Sequence, residues 1–279
     1  MASSIPIITP QEMYAAERAV IADGVPGFVL MQRAGAGISD AISDRYDSGR
    51  INILCGPGGN GGDGFVTAAL LSKRGWDVRV FSLADLSDLK GDPKRAAELW
   101  AGPVYPLREA LNAAANVTLD ALFGGGLSRA LTGVAAELAD QSPRQIVAVD
   151  VPSGLPGATG QPLGPCFCAD LTVTFAALRP AHVLMPGKGL CGVVKVVDIG
   201  VPVESRNVFR ETKAPIPESA LQLRDLAALG DALGEHVAVS ENRIEAVRLL
   251  CSLHQRAVLL RSPEWILADD DQQVSVSNT

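Results

Sequence analysis

The sequence predicts an α/β fold, a Rossmann-like three-layer sandwich with a mostly parallel central sheet. Three observations predict it. Apolar strand candidates alternate with helical stretches of about ten residues, as in βαβ units with right-handed crossovers. Runs such as Ile146-Val147-Ala148-Val149 are apolar throughout, which suits strands buried on both faces. Three strand candidates run into loops that are polar or Gly-rich, at 56–64, 120–129 and 150–154. Ligands of such sheets bind beyond the carboxyl ends of the strands, so these loops are expected to converge on one crevice.

The first element is a helix. Thr9 is placed to cap it, Pro10 suits the first helical position, and Glu12 completes a capping box. Met13, Ala16 and Val20 share a face, and Gly24 is a stop. A second helix starts at Phe28 and runs on through the small residues 34–37. A strand at 51–55 then ends abruptly in GPGGNGGDG, residues 56–64, with a helix expected from Phe65 to Arg74. A second strand is read at 77–83, and helical stretches at 93–100 and 108–115. A third strand at 116–120 leads into Phe123 and three glycines, followed by a helix at 129–139. The strand at 145–150 runs into Val151-Pro152-Ser153-Gly154, and two later strands are read at 172–175 and 193–197. Composition shifts after Val203. Residues 204–218 contain Pro215 and Pro217 among mixed charges and read as a linker. Beyond it, 243–253 is helical in pattern, 257–260 and 265–268 are short strands, and the polar end DDDQQVSVSNT is expected to fray.

Of the 279 residues, 47% are hydrophobic and 20% charged, an ordinary soluble composition. A net charge of −7 argues against nucleic acid, which needs a clustered basic face. The five cysteines are scattered and form no CxxC pair. They read as reduced, mostly buried thiols of a cytoplasmic protein. The start lacks a basic n-region and an apolar h-region. No apolar run approaches the roughly 20 residues that span a bilayer, so neither a signal peptide nor a membrane partner is expected.

The loop at 56–64 matches G-x-G-x-x-G through Gly56, Gly58 and Gly61. A dinucleotide dehydrogenase would also place an acid at the end of the second strand for the ribose. That strand ends near Ser82-Leu83, and Asp85 lies beyond it. A P-loop would continue into Lys-Ser/Thr, and this loop does not. What remains is an anion site made of exposed N–H groups at a helix mouth, with side-chain oxygens from Asn60 and Asp63. A purely structural turn with Asp63 as helix N-cap is the competing reading. Six glycines in nine residues exceed what a turn needs. Asp120 and Asp150, with Ser153, stand at strand ends beside this loop, and oxygen ligands of that kind suit a hard cation. His182, His236 and His254 are isolated in sequence and read as structural or surface residues outside these loops.

Several segments resemble a known family: PIITPQEMYAAERAVI, LMQRAG, GPGGNGGDGFVTAALL, LDALFGGGLSR, VDVPSGLPGATG, TVTFAALRPAHVLMPGKG and VVKVVDIGVP. In this order, over roughly residues 6–203, they look like the YjeF amino-terminal family, the NAD(P)H-hydrate epimerases. The resemblance implies a Rossmann-like sandwich, usually a homodimer. It implies interconversion of the R and S forms of hydrated NADH and NADPH (NADHX and NADPHX), and a bound potassium ion. By motif position it puts the ion at Asn60, Asp120 and Ser153. It puts the substrate along Gly59, Asn60, Gly61, Gly62 and Asp63, along Gly124, Gly125, Gly126, Leu127, Ser128, Arg129 and Ala130, and at Asp150. Asp150 is the expected catalytic acid–base residue, because epimerisation moves a proton at oxygen and passes through a positively charged ring. A non-catalytic binding or dimerisation module of the same fold is the alternative.

Two residues depart from the family pattern. Gly59 stands where the family loop GPGNNGGDG has Asn, and Gln32 where LMERAG has Glu. The resemblance divides the chain into an epimerase domain at 1–203, a linker at 204–218, and a segment at 219–279. That segment is similar to a middle piece of the ribokinase-like NAD(P)H-hydrate dehydratase domain, without its Gly-Asp nucleotide motif. It is expected to be an inactive remnant that packs on the first domain or is mobile, with a separate dehydratase as functional partner; an unrelated short appendage is the competing reading.

Overall fold

The structure is a computed structural model. It describes residues 4–205, 207–210, 217, 219–233, 242–261, 264–269, 271 and 273–277. In chain order, strand β1 (Ser4–Pro6) leads to helices α1 (Pro10–Ala22) and α2 (Gly27–Arg45), then β2 (Arg50–Cys55), α3 (Gly59–Lys73) and β3 (Asp77–Ser82). Next come α4 (Gly91–Ala97), β4 (Val104–Pro106), a 3-10 helix (Leu107–Asn112), β5 (Val117–Ala121), α5 (Gly133–Gln141) and β6 (Ile146–Val149). The first unit closes with β7 (Leu171–Phe175), α6 (Pro180–Val183), α7 (Gly187–Cys191) and β8 (Val193–Val197).

These strands form a seven-stranded sheet in the order β4-β3-β2-β5-β6-β7-β8, every pair parallel. Strands β5, β6 and β7 are buried along their whole length, as sandwiching between helices requires. One face packs Ile38 and Ile42 of α2 with Phe65 and Leu71 of α3. The other packs Ala135 and Leu138 of α5 with Phe167. The chain leaves β2 in one direction and returns to β5 on its other side. The topological switch point therefore lies between β2 and β5, where a ligand crevice is expected.

The Thr9 cap is observed: Glu12 N–H donates to Thr9 Oγ1 and Thr9 N–H to the Glu12 carboxylate. The helix after the Gly loop begins six residues earlier than the sequence pattern predicts, at Gly59 rather than Phe65. The glycines are thus its first turn, with Gly58 as N-cap and Asp63 inside the helix. None of the loop's glycines has a positive φ. Close approach requires them instead. A Cβ on Gly56 would lie 1.8 Å from the Leu122 carbonyl oxygen, and one on Gly61 1.8 Å from that of Gly56. Conversely, α5 starts at Gly133, later than predicted, so residues 127–132 stay free as loop.

The second unit contains β9 (Asn207–Arg210), β10 (Leu221–Leu223), α8 (Leu226–Leu233), α9 (Arg243–His254), β11 (Val258–Arg261), β12 (Trp265–Ala268) and β13 (Val274–Ser277). With β1 they make a six-stranded mixed sheet in the order β1-β9-β13-β12-β11-β10. Two sequence expectations are corrected here. Asn207–Arg210, inside the stretch read as linker, is a strand pairing with β1 and β13; residues 211–216 and 218 lie outside the described residues. The polar end contributes β13, an interior strand whose Val274 and Val276 are fully buried. Asp269 accepts the N–H groups of Asp271 and Gln273 and so closes the turn before it. The second unit packs on the first through a shared core in which Ile7, Leu178, Val183 and Leu184 meet Ile244, Val247, Leu250 and Val276.

Candidate active site

A cavity of about 500 Å³ opens at the carboxyl ends of β2, β5, β6 and β7. The loops chosen from sequence converge on it. Gly59, Asn60 and Asp63 line it from the start of α3. Gly124, Gly126, Leu127, Ser128 and Arg129 line it from the loop after β5, and Asp150 from the end of β6. Gly61, Gly62, Gly125 and Ala130, expected on the same surface, do not line the cavity. Gly61 and Gly62 are turned inward by the early helix start, and Gly62 packs on Met31. Gly125 acts through its backbone, and Ala130 faces Gly164.

Asp150 sits at φ +63°, a left-handed conformation that Asp tolerates better than bulkier residues. That turn brings its carboxylate back over the sheet edge. Oδ2 accepts the Gly125 N–H at 2.8 Å. Oδ1 accepts the Thr174 hydroxyl at 3.2 Å and lies 3.3 Å from the Arg179 guanidinium. Burial alone would raise its pKa, but Arg179, the Gly125 amide and Thr174 outweigh it and hold the carboxyl below its ordinary value. The adjacent glycines are needed for this approach: a Cβ on Gly124 or Gly125 would lie 3.1 Å from Asp150 Oδ2.

Sequence reasoning missed the residues that hold Asp150. Arg179 is 2% exposed and lines the cavity, and among the described residues its Nε has no hydrogen-bond partner. His182 is not remote from the loops, as its isolation in sequence suggested. Its Nδ1 accepts the Arg179 N–H at 2.9 Å, so Nε2 carries the proton and donates to the Asp150 carbonyl at 2.7 Å. Burial lowers the imidazole to about 4, which keeps it neutral. His254 is exposed at the end of α9, and His236 lies outside the described residues. The only signal for Arg179 and His182 was their place in the LRPAH segment.

Helix α1 supplies a further wall through Met13, Tyr14 and Glu17. Burial raises the pKa of Glu17, and Asp150 adds to the rise while Arg179 opposes it. Asp63 is raised well above its ordinary value, by burial first and then by Glu17 and Asp150. The cavity therefore holds one carboxylate kept ionised and two carboxyl groups pushed toward the protonated form.

Asp120 and Ser153 lie behind the cavity. Asp120 is fully buried within β5 and accepts the Ser153 N–H and hydroxyl, each at 2.7 Å. Burial raises its pKa to about 6, against these bonds. Among the described residues it forms no ion pair with a basic side chain. Asn60 Nδ2 donates to the Val149 carbonyl at 2.9 Å, which turns its Oδ1 toward Gly124. A buried carboxylate beside the Ser153 hydroxyl is the kind of oxygen pair that suits a hard cation.

The family model for YjeF-related protein N-terminus matches residues 27–181, more than half of the chain. This chain belongs to that family. A relative named NAD(P)H-hydrate epimerase, from Rhodobacter capsulatus, is 38% identical over 213 residues, covering 69% of this chain and 99% of that protein. Another, from Levilactobacillus brevis, is 35% identical and covers 74% of this chain and 98% of its own length. A bifunctional NAD(P)H-hydrate repair enzyme from Moorella thermoacetica is 36% identical, with only 41% of its length matched. The crystal structure of yeast ynu0 shares the fold at TM-score 0.59 and 21% identity, covering 69% of this chain and 87% of that one. Burial pushes the Cys166 thiol up to about 12, which favours its protonated form. Among the described residues, no helix is long and apolar enough to cross a membrane.

Proposed function

We propose that this chain epimerises hydrated NADH and NADPH at the ring carbon bearing the hydroxyl. The observation that carries this is the opposite tuning of carboxyl groups in one cavity, with Asp150 held ionised and Glu17 and Asp63 pushed toward the acid form. The reaction needs both. Glu17, the less buried of the two acids, gives its proton to the ring hydroxyl. The C–O bond breaks, its electron pair leaves with water, and the ring nitrogen lone pair forms a C=N bond. The Asp150 carboxylate stabilises the resulting cation. Water then adds to the other face and returns a proton to the Glu17 carboxylate. Asp150 thus serves as the electrostatic partner, and the acid–base role expected of it from sequence is assigned to Glu17. The N–H groups at the start of α3, together with Arg129, bind the pyrophosphate.

Asn60, Asp120 and Ser153 would hold a potassium ion, whose fixed positive charge would neutralise the buried Asp120 and order the three loops. The scattered cysteines, with no CxxC pair, fit a cytoplasmic setting, and the family resemblance supports a homodimer. Dehydration of the epimerised product falls to a separate dehydratase, an activity we do not assign to the second unit.

The test supplies the R epimer and follows the S epimer by chromatography, with potassium and with sodium. Acceleration over the spontaneous rate, stronger in potassium and insensitive to the cation in Asp120→Asn, is expected. No acceleration in either salt sinks the epimerase reading.

A further inference from the structure

We propose that the second unit positions the active site, and that Arg243 and Glu264 are the positioning residues. This inference rests on the epimerase reading. The two side chains are 3% and 2% exposed and form an ion pair at 2.9 Å. Each of the two also bonds the same residue of the first unit. Glu264 Oε1 accepts the Met185 N–H, and the Arg243 guanidinium donates to the Met185 carbonyl. The pair therefore grips both backbone groups of one residue.

Met185 lies three residues beyond His182, whose ring holds the Asp150 carbonyl. The segment between is tied down by hydrogen bonds and burial. Leu184 N–H bonds the Pro180 carbonyl, Ala181 N–H bonds the Gly157 carbonyl, and Val183 and Leu184 are buried in the core shared with α9. A displacement at Met185 is therefore passed to Arg179 and His182. The second unit holds the opposite wall as well. Strand β1 pairs with β9, Ile7 N–H bonds the Asn207 carbonyl, and the Ser205 hydroxyl bonds the Ile7 carbonyl. Two residues later Thr9 caps α1, which carries Tyr14 and Glu17 to the cavity.

Energetics favour register over adhesion as the reason for the pair. Apolar packing between the units already supplies adhesion. A buried ion pair adds little net stability over apolar side chains of similar volume, whereas each of its partners demands a defined geometry.

The experiment uses the full chain carrying R243M/E264L, an apolar replacement of similar size. It measures epimerase kcat and KM, the melting temperature, and amide hydrogen exchange of residues 179–185. The expected result is a melting temperature near that of the native chain, faster exchange at 179–185, and kcat lower by about tenfold or more, since small misplacements in a site are costly. KM should be nearly unchanged, because pyrophosphate contacts lie on other loops. An unchanged kcat in the folded variant overturns the proposal, whatever the exchange shows. If the double variant does not fold, R243K carries the test. It keeps the charge but loses the fork that reaches Glu264 and Met185 together, and a lower kcat at constant KM is again expected. If the native chain has no epimerase activity, exchange at 179–185 decides the coupling separately: unchanged exchange overturns it, and faster exchange leaves it standing while the epimerase reading falls.

Discussion

The two sheets differ in where their connections go. In the seven-stranded sheet every pair of strands is parallel, so all carboxyl ends share one edge. The loops after β2, β5, β6 and β7 are gathered there, and Glu17, Asp63, Asp150 and Arg179 meet in one cavity. In the six-stranded sheet β11, β12 and β13 run antiparallel, so successive turns fall on opposite edges. Its buried charged pair, Arg243 and Glu264, faces the first unit and bonds the backbone of Met185. Topology alone thus explains why one sheet concentrates chemistry and the other supplies support.

The largest expected effect tests that division directly. Asp150→Asn should lower kcat by about a hundredfold or more, the usual scale for a positioned charge or acid–base group. The amide keeps the volume and can still accept the Gly125 N–H, so the fold should persist. Asp269→Asn is the counterpart in the second sheet, where Asp269 Oδ1 closes the turn between β12 and β13. It should leave kcat unchanged. Equal losses in both variants, measured with circular dichroism to confirm folding, would break the division.

Next in size is Glu17. Its carboxyl is raised by burial, so it is the protonated, donating form that fades as pH rises through its folded value. Asp150 is lowered, so the ionised form it needs is present well down into acid. The kcat profile of the native chain should therefore be level on the acid side and fall on the alkaline side. Glu17→Gln should cost about tenfold or more, at the lower end of acid–base contributions because water can substitute, and the alkaline limb should disappear. An alkaline limb that survives in Glu17→Gln assigns the donor to Asp63 or Tyr14, both also raised by burial.

Much of the first unit was legible because its signals are local. The apolar run at 146–149 marked β6, strands were also read where β5 and β7 lie, and Thr9 with Glu12 marked α1. The three converging loops followed from strand ends. What was illegible depends on contacts distant in sequence. The start of α3 at Gly59 goes with the Leu122 backbone pressed against Gly56 and the Gly56 backbone against Gly61, which no propensity reports. Arg179 and His182 matter only because a left-handed turn aims Asp150 at them. The polar run before Thr279 hides β13, whose two valines are buried by pairing with β12 and β9. Arg243 and Glu264 carry no local mark of their burial, which comes from the packing of the two units.

The smallest expected effect sharpens the role of the Gly loop. Gly59 departs from the Asn in the family loop, yet nothing around it demands glycine. Its φ is not positive, and a Cβ there would meet no atom within 4 Å. It is the first residue of α3 and borders the cavity. Gly59→Asn should therefore change stability by no more than about 0.5 kcal/mol, as for an unconstrained surface site. The restored amide adds one hydrogen bond to bound substrate, worth about 0.5–1.5 kcal/mol net, or roughly two- to tenfold in KM. If the loop only anchors the pyrophosphate, that gain is the same in the ground and transition states, and kcat stays constant. A changed kcat at constant KM would instead place residue 59 beside the reacting ring, and the pyrophosphate would then have to lie along 124–129.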